Sequence, residues 1–329
     1  MLCIYNRSNE PYFNQAAEEY LLKNKDEDIF MLWQNDNAII VGKHQNTLAE
    51  INVETVNEKK IKVVRRLTGG GAVFHDMGNL NFTFIMNYED AHPDIDFKKY
   101  TRPIIGVMAE LGIEAEFSGR NDILIDGKKF SGNAEHIYHQ KRRVLHHGTL
   151  LYASEIADLS AALKVNPLKF VDKAVKSVRS RVTNISSHLK DPITVEAFRN
   201  RVMEYIVNLY PDAKPYELTD VDKEAIQQLA DEKYSQWHWN FGYSPKYEFQ
   251  KGIKTAGGHL EVHLNVDKGE IKDIKIYGDF FAKKDIDELE QLIVGKQHRR
   301  EVLLELFKTL PGSDYFNNIT DEELVDAFF

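Results

Sequence analysis

The sequence has only one cysteine, Cys3, among its 329 residues. A single thiol cannot form an internal disulfide, which is typical of proteins in a reducing compartment, and we predict a cytoplasmic location. The first residues lack the basic and then apolar pattern of a signal peptide. No apolar run approaches the roughly 20 residues that a membrane helix needs. The sequence therefore argues against secretion and against membrane insertion.

Three chemical signatures are missing as well. There is no GxxxxGK[ST] segment, which excludes a P-loop nucleotide site, and no GxGxxG after a strand, which leaves a dinucleotide fold without support. Cysteine ligands for zinc are absent, and the neighbours His146 and His147 would point to opposite faces of a strand, which disfavours a zinc site. The formal net charge of −9 argues against general affinity for nucleic acid, which needs a basic face.

The most informative stretch that is present is a glycine loop. The arginines Arg65 and Arg66 enter it, the segment Gly69–Gly71 follows, and apolar runs lie on both sides. Glycine permits positive φ and the close approach of a ligand to the backbone. Because a bend needs only one glycine, three of them beside two guanidinium groups indicate a bound anion. A tight bulged hairpin is the alternative.

A second candidate site surrounds the pair Asp126-Gly127, which favours a two-residue hairpin turn. Such a hairpin would bring Asp122 and Lys129 close together on neighbouring strands. A fixed ammonium group can neutralise the charge that builds up when a carboxylate joins an α-phosphate. An ordinary solvated surface lysine is the alternative at this position.

A third candidate is a basic segment between Lys164 and Arg181, where Asp172 is the single acid. In an acidic protein this local reversal of sign is typical of an anion-binding loop. One alternative is a solvated basic face. Another is a non-catalytic nucleotide- or nucleic-acid-binding protein, whose affinity for nucleic acid would fall steeply with salt.

Strands and helices alternate without a regular βαβ pattern, which predicts an α+β fold. We expect a helix over Asn14–Leu22 with Asn14 as its N-cap, and a mostly buried strand through Phe82 and Met86. The length favours two domains, and the aromatic and turn residues before Pro245 indicate where they divide. We predict one domain over residues 1–244 and a small α+β domain over residues 245–329.

Together these segments resemble the lipoate–protein ligase family, within the larger group that includes biotin ligases and octanoyltransferases. In the first domain the matching segments are Arg65–Asp76, Gly119–Asp122, Lys129–Gly132, His146–Leu151 and Lys176–Asn184. At the entry to the accessory domain they are Trp239–Gly242 and Gly257–Val262. The resemblance implies a large catalytic domain with a mixed β-sheet flanked by helices, followed by a small C-terminal accessory domain.

The resemblance also implies an activity. Lipoate and ATP, with Mg²⁺ as cofactor, would give lipoyl-AMP, and the lipoyl group would then pass to a lysine of a carrier domain. The expected carriers are E2 subunits of 2-oxoacid dehydrogenases and the glycine cleavage H protein; octanoate is an alternative acyl substrate. The competing hypothesis is a lipoyl or octanoyl amidotransferase that needs no nucleotide. We expect a monomer that binds neither nucleic acid nor membrane.

Residue roles are implied in the same way. Lys129 is the expected catalytic residue, and the Mg²⁺ ligands stay open. The expected ATP and adenylate contacts are Arg66, Gly70, Gly71, Ala72, Val73, Phe74, Asp122, Lys129, Lys176 and Arg179. The expected lipoate contacts are Lys129, Gly71, His75 and His147, with Val73, Phe74 and Phe82 as apolar walls. The segment from 165 to 184 would close over the adenylate. Asn133, where many relatives carry serine, leaves the preference between lipoyl and octanoyl groups open.

Overall fold

The computed structural model describes residues 1–89, 96–119, 121–156, 163, 170–172, 182–191, 193–280 and 282–329. The chain forms two compact units. The first comprises Met1–Lys43, Thr55–Leu163 and Ser177–Gln236, and the second comprises His44–Glu54, Lys164–Lys176 and Trp237–Phe329. Both units are discontinuous in sequence. The single division after residue 244 stays a prediction.

The strands are described here in chain order. They are β1 (Leu2–Tyr5), β2 (Ile29–Trp33), β3 (Ala38–Val41), β4 (Lys62–Arg65), β5 (Val73–His75), β6 (Asn79–Asn87), β7 (Glu116–Ser118), β8 (Asp122–Ile125), β9 (Lys128–Tyr138), β10 (Arg143–Leu151), β11 (Phe170–Asp172), β12 (Lys214–Pro215), β13 (Tyr247–Thr255), β14 (Gly258–Asp267) and β15 (Glu270–Gly278). The strand predicted through Phe82 and Met86 is confirmed as β6, which is buried over most of its length.

The helices follow the same numbering. They are α1 (Pro11–Asn24), α2 (Thr47–Glu50), α3 (Val53–Glu58), α4 (Phe97–Glu110), α5 (Val195–Leu209), α6 (Asp220–Leu229), α7 (Ile286–Ile293), α8 (Arg300–Thr309) and α9 (Asp321–Asp326). Among the described residues, no helix has both the length and the apolar character that a membrane crossing requires.

A mixed sheet of eight strands runs through the first unit in the order β12-β1-β2-β6-β10-β9-β8-β7. Strand β1 pairs in parallel with both β2 and β12. Every other neighbouring pair in this sheet, in the order β2, β6, β10, β9, β8 and β7, is antiparallel. Helices α4 and α5 cover one face and α1 covers the other. This arrangement confirms the predicted α+β class with a mixed sheet flanked by helices.

Helix α1 begins earlier than the sequence indicates. Pro11 occupies the start of the helix, and the Glu10 side chain accepts from the Tyr12 amide. Asn14 was predicted to be the N-cap, and this prediction is wrong. Its amide lies inside the helix and is buried, where it bonds Asn6 and Asn35 instead. Proline is favoured in the first turn because that turn needs no amide donor.

A separate sheet of three strands carries the glycine loop in the order β4-β3-β5. Strand β3 is parallel to β4 and antiparallel to β5. The loop from Arg66 to Ala72 therefore connects two strands that lie on opposite sides of β3. The alternative of a tight bulged hairpin is wrong, because β4 and β5 do not pair with each other.

The predicted hairpin around Asp126-Gly127 is confirmed. Strands β8 and β9 pair with Ile125 opposite Lys128, which leaves two residues in the turn. Asp126 and Gly127 both have positive φ, at 49° and 70°. A two-residue type I′ turn requires positive φ at both positions, which Asp-Gly supplies readily.

The second unit contains a sheet in the order β11-β13-β14-β15. Strands β13 to β15 form an antiparallel meander over which α7 packs, and α8 contacts α9. Helix α9 starts with a capping box between Thr320 and Glu323. Strand β11 was not predicted, since its residues fall within the basic segment.

Candidate active site

The Arg66 side chain forms hydrogen bonds with the backbone of the glycine loop. Its Nη2 donates to the carbonyls of Gly69 at 2.7 Å and Gly71 at 2.8 Å, and its Nη1 donates to Ile40 at 3.0 Å. Its Nε donates to Thr68 Oγ1 at 2.9 Å. A guanidinium group has five N–H donors, so these bonds leave one without a partner among the described residues. Burial lowers the pKa of Arg66 to about 10, at which the group is still charged at neutral pH.

Arg65, at the start of the loop, bonds the backbone that follows β3. It is fully buried, and its Nη1 donates to the carbonyls of Gly42 at 2.9 Å and Lys43 at 3.1 Å. Gly42 also lies against the loop backbone, because a Cβ added there would stand 2.0 Å from the carbonyl oxygen of Gly70. Gly70 itself has a φ of +93°. The loop therefore depends on glycine at two sequence-distant positions.

A buried chain of hydrogen bonds continues inward from Arg66. The Thr68 hydroxyl accepts from Arg66 and lies 2.8 Å from His147 Nε2. His147 Nδ1 lies 2.9 Å from a carboxylate oxygen of Glu18, which also accepts from Thr83 at 2.6 Å. Because Glu18 can only accept when ionised, Nδ1 carries a proton, and the Thr68 hydroxyl can donate its own proton to Nε2. The carboxylate thus gives the buried Arg66 a counter-charge.

His75 lies beside this network as a neutral ring. Burial first, and then the nearby Arg66 and His147, lower the pKa of His75 to about 3. Its Nδ1 is 3.0 Å from the Asn35 amide nitrogen, which must donate because Asn35 Oδ1 already accepts from Asn14. The ring proton is therefore on Nε2, and this buried donor has no partner among the described residues. A buried donor without a partner is costly unless a ligand or water satisfies it.

Lys129 and Asp122 form an ion pair at the start of the β8–β9 hairpin, with Nζ and Oδ1 2.8 Å apart. The side chains remain 23% and 30% exposed, so a ligand can reach them. The Lys129 carbonyl also accepts from the Thr183 amide at 2.9 Å, and Lys129 pairs with Val182 as an isolated bridge. The chain immediately after the basic segment therefore lies alongside the lysine.

The lysine and the buried network belong to the same stretch of sheet. The Gly132 amide donates to Thr149 Oγ1 at 3.1 Å, and Thr149 lies two residues beyond His147 on β10. Side chains two residues apart on a strand share a face. Lys129 Nζ in turn lies next to Gly132, where an added Cβ would meet it at 2.8 Å. A cation, a buried histidine and a glycine-rich backbone thus converge on one region.

The sequence matches two family profiles. Residues 10–207 match "Lipoyl protein ligase A/B catalytic domain", and residues 244–328 match "Bacterial lipoate protein ligase C-terminus". A Bacillus subtilis protein named lipoate-protein ligase LplJ is 45% identical over 334 aligned residues, which cover 100% of both chains. A Staphylococcus aureus protein named lipoate–protein ligase 1 is 41% identical over 322 residues, which cover 97% of both chains. The chain belongs to the lipoate–protein ligase family.

Solved structures agree with this assignment. The crystal structure of P. falciparum LipL1 in complex with lipoate superposes with a TM-score of 0.63 at 27% identity, covering 99% of this chain and 97% of that one. A lipoate-protein ligase A bound with ATP gives a TM-score of 0.63 at 24% identity, covering 74% of this chain and 98% of that one. The second likeness supports the fold alone. This protein therefore has the biotin/lipoate ligase-like fold and is a ligase.

Most of the predicted ligase site residues lie on the glycine loop and the strand after it. Ala72, Phe74 and His75 are buried, and Val73 is partly exposed. Lys176 and Arg179 lie outside the described residues. The predicted adenylate and lipoate contacts stay predictions.

Phe82 does not lie on the site's face of the sheet, and its predicted place in the acyl pocket wall is wrong. Its ring stacks on His146 with centroids 5.8 Å apart and belongs to the core under α4 and α5. Thr83 next to it faces Glu18 on the opposite side. Strand alternation explains both orientations, and the two histidines on β10 alternate in the same way.

Sequence reasoning missed three residues that shape the site: Glu18, Gly42 and Thr68. Glu18 lies one helical turn after Asn14 on the buried face of α1, and an acid on such a face is a recognisable signal. Gly42 follows β3, and no local pattern shows that it touches another loop. Thr68 resembles any polar loop residue until its bonds to Arg66 and His147 are seen.

Gly132→Ala is expected to impair the ligase without unfolding it. The added Cβ would meet Lys129 Cε and Nζ, both at 2.8 Å, and a flexible side chain can move away. We expect a loss of roughly 10-fold or more in the rate of the adenylation step, because small displacements of a reacting group are costly. The thermal midpoint should stay close to that of the parent protein. An unchanged rate would show that the position of Lys129 does not matter.

Proposed function

We propose that this ligase activates lipoate with ATP and then lipoylates a lysine of a carrier domain. In the first step a carboxylate oxygen of lipoate bonds to the α-phosphorus, and the bond to the β-phosphate breaks, releasing pyrophosphate. In the second step the lysine ε-amine attacks the acyl carbon, the bond to AMP breaks, and the amine loses a proton. Family membership over the whole chain carries this proposal.

The arrangement around Lys129 supports the first step. Its ammonium group is held by Asp122 and is partly exposed, so it can lie between a carboxylate and an α-phosphate as their negative charges approach. Preorganised charge of this kind lowers the barrier because it needs no rearrangement during the reaction. The glycine loop would receive the nucleotide, with the remaining Arg66 donor available to it. The predicted adenylate contacts at Gly70 to Phe74 belong to this proposal.

The two histidines are proposed to line the lipoate pocket. His147 is fixed by Thr68 and Glu18, and His75 offers a buried Nε2–H that has no partner among the described residues. His75 is neutral as hydrogen-bonded here, so an apolar acyl chain can lie against it at little electrostatic cost. Polar groups at fixed positions in a mostly apolar pocket are typical of small-molecule sites.

Mg²⁺ is proposed to arrive with ATP. Among the described residues, no group of three or more His, Cys, Asp or Glu side chains is arranged to hold a metal ion. Mg²⁺ in nucleotide sites is commonly bound by phosphates and one or two carboxylates. Asp122 is the carboxylate next to Lys129 and fits this limited role. When bound, the ion would neutralise charge on the phosphates.

The basic segment is proposed to serve both the adenylate and the carrier domain. We propose that the segment from 165 to 184 covers the adenylate, so that water cannot hydrolyse it. Its basic residues would also attract acidic carriers, such as E2 lipoyl domains and H protein, despite the net charge of −9. The proposal includes a monomeric enzyme in the cytoplasm, with domains over residues 1–244 and 245–329.

The nucleotide-independent alternative finds no support at Cys3. This thiol is buried in β1 with 4% of its surface exposed, and burial raises its pKa. A nucleophilic cysteine needs an accessible thiolate, which these conditions disfavour.

The test is pyrophosphate release before any carrier is added. The proposal predicts release only when lipoate and MgATP are both present, with lipoyl-AMP retained by the enzyme. Omission of lipoate or replacement of ATP by ADP should abolish release. Acyl transfer from a lipoylated carrier without any nucleotide would contradict the proposal and favour the amidotransferase.

A further inference from the structure

A second set of polar contacts lies on the face of the sheet opposite His147 and centres on Asn133. The Asn133 Nδ2 donates to the carbonyl of Asn121 at 3.0 Å and lies 3.3 Å from Ser131 Oγ. The backbone amide of Asn133 donates to the same carbonyl at 2.9 Å. In return the Asn121 Nδ2 donates to the Asn133 carbonyl at 2.6 Å. Asn121 is thus held by three hydrogen bonds immediately before Asp122.

The side-chain amide of Asn133 also contacts a buried pair of side chains, His146 and Glu135. His146 Nε2 lies 3.2 Å from Asn133 Oδ1, and His146 Nδ1 lies 2.8 Å from Glu135 Oε1. Gly148 provides the space for this amide, because a Cβ there would stand 2.3 Å from Asn133 Oδ1. The side chains of His146 and Glu135 are 0% and 1% exposed. Such burial makes every unmade hydrogen bond expensive.

The positions of the protons along this series of hydrogen bonds follow from donor and acceptor rules. The Asn121 carbonyl can only accept, so Asn133 turns its Nδ2 toward it and its Oδ1 toward His146. That oxygen can only accept, so His146 Nε2 carries the proton and Nδ1 is free to accept from Glu135. A protonated Glu135 is the matching donor, and burial raises the pKa of Glu135 to about 7. Each hydrogen bond in this series therefore donates in the same direction, from Glu135 toward Asn121.

We propose that Asn133 is a positioning residue for the adenylation step and that Glu135 and His146 hold it in place. The contacts run from Glu135 through His146 and Asn133 to Asn121, whose neighbour Asp122 pairs with Lys129 at 2.8 Å. Asn133 contacts no reacting group in this scheme. It acts by fixing the backbone that sets the Asp122 carboxylate and hence the Lys129 ammonium. This inference rests on the proposed function.

A double-mutant cycle on the full-length enzyme tests the inference. The rate of lipoyl-AMP formation is measured for the parent, Asn133→Ala, Lys129→Ala and the double variant, with the thermal midpoint of each. Asn133→Ala is expected to lower the rate roughly 10- to 100-fold in the parent, as small misplacements of a reacting group do. In the Lys129→Ala background it should change the residual rate less than about 2-fold, because coupled residues are not additive.

Two substitutions at Glu135 test the other end of this series of hydrogen bonds. Glu135→Gln keeps a donor for His146 Nδ1, whereas Glu135→Leu fills similar space without one. The glutamine variant is expected to keep clearly more adenylation activity than the leucine variant. Equal rates for the two would overturn the role given to Glu135 and His146.

The outcomes separate this inference from the proposed function. If the parent makes no lipoyl-AMP from lipoate and MgATP, the proposed function fails. If the parent is active but Asn133→Ala lowers the rate by the same factor in both backgrounds, only the positioning role of Asn133 fails. Should Asn133→Ala not fold, the partly exposed Asn121 replaces it in the same cycle as Asn121→Ala, which removes the 2.6 Å bond to the Asn133 carbonyl.

Discussion

Lys129→Ala is expected to lower the rate of lipoyl-AMP formation by roughly 10²- to 10³-fold, because removing a preorganised group that meets developing charge has effects of this size. The ammonium lies 2.8 Å from Asp122 and is partly exposed, so its loss leaves no large cavity in the core. The thermal midpoint should change little. Single-turnover formation of lipoyl-AMP from lipoate and MgATP measures the effect directly.

Lys128→Ala is the matched control for this substitution. Lys128 is the neighbouring residue of β9 and is exposed to solvent. Replacing it removes the same charge from the same hairpin but not from the site, so the adenylation rate should stay within about 2-fold of the parent, since exposed charges contribute little. Equal losses for the two variants would mean that the hairpin needs only a general positive charge.

Gly42→Ala is expected to damage the glycine loop more than a substitution at a loop position that has free space around it. The new Cβ would stand 2.0 Å from the carbonyl oxygen of Gly70 and 3.3 Å from Arg66 Nη2. Backbone atoms cannot move aside as a flexible side chain can. We expect the free energy of unfolding to fall by about 1–3 kcal/mol, as overpacking usually costs. Adenylation should fall by about 100-fold, because the loop is displaced by an ångström or more.

Gly69→Ala provides the control in the loop itself. An added Cβ at this position meets nothing within 4 Å, and the residue is not in the positive-φ region. Urea denaturation and single-turnover adenylation should both resemble those of the parent protein. If Gly69→Ala is as damaging as Gly42→Ala, the loop needs flexibility rather than the close contact between Gly42 and Gly70.

Local chemistry made part of the fold predictable from sequence. The pair Asp126-Gly127 specifies its own turn, and the turn length then places Asp122 near Lys129. The capping box at Thr320 likewise marks the start of α9. These features depend on residues within a few positions of one another. The family resemblance rested on such segments in their order along the chain.

The internal structure of the site could not be read in this way, because its contacts join distant parts of the chain. Glu18 reaches His147 across 129 positions, and Thr68 reaches it across 79. The sequence shows that Arg65 and Arg66 are charged, but not that backbone carbonyls surround them. The structure commits four Arg66 donors to Thr68 and to backbone carbonyls, while the predicted anion contact stays a prediction.

The intact mass of an apo carrier domain after incubation with the enzyme and lipoate tests the ligase function most directly. With MgATP present, the carrier should gain one lipoyl group on a single lysine, and one AMP should appear for each group transferred. Without ATP, or when the carrier lysine is replaced by arginine, the mass should not change. Lipoylation without ATP, or with ADP as the nucleotide product, would contradict a mechanism through lipoyl-AMP.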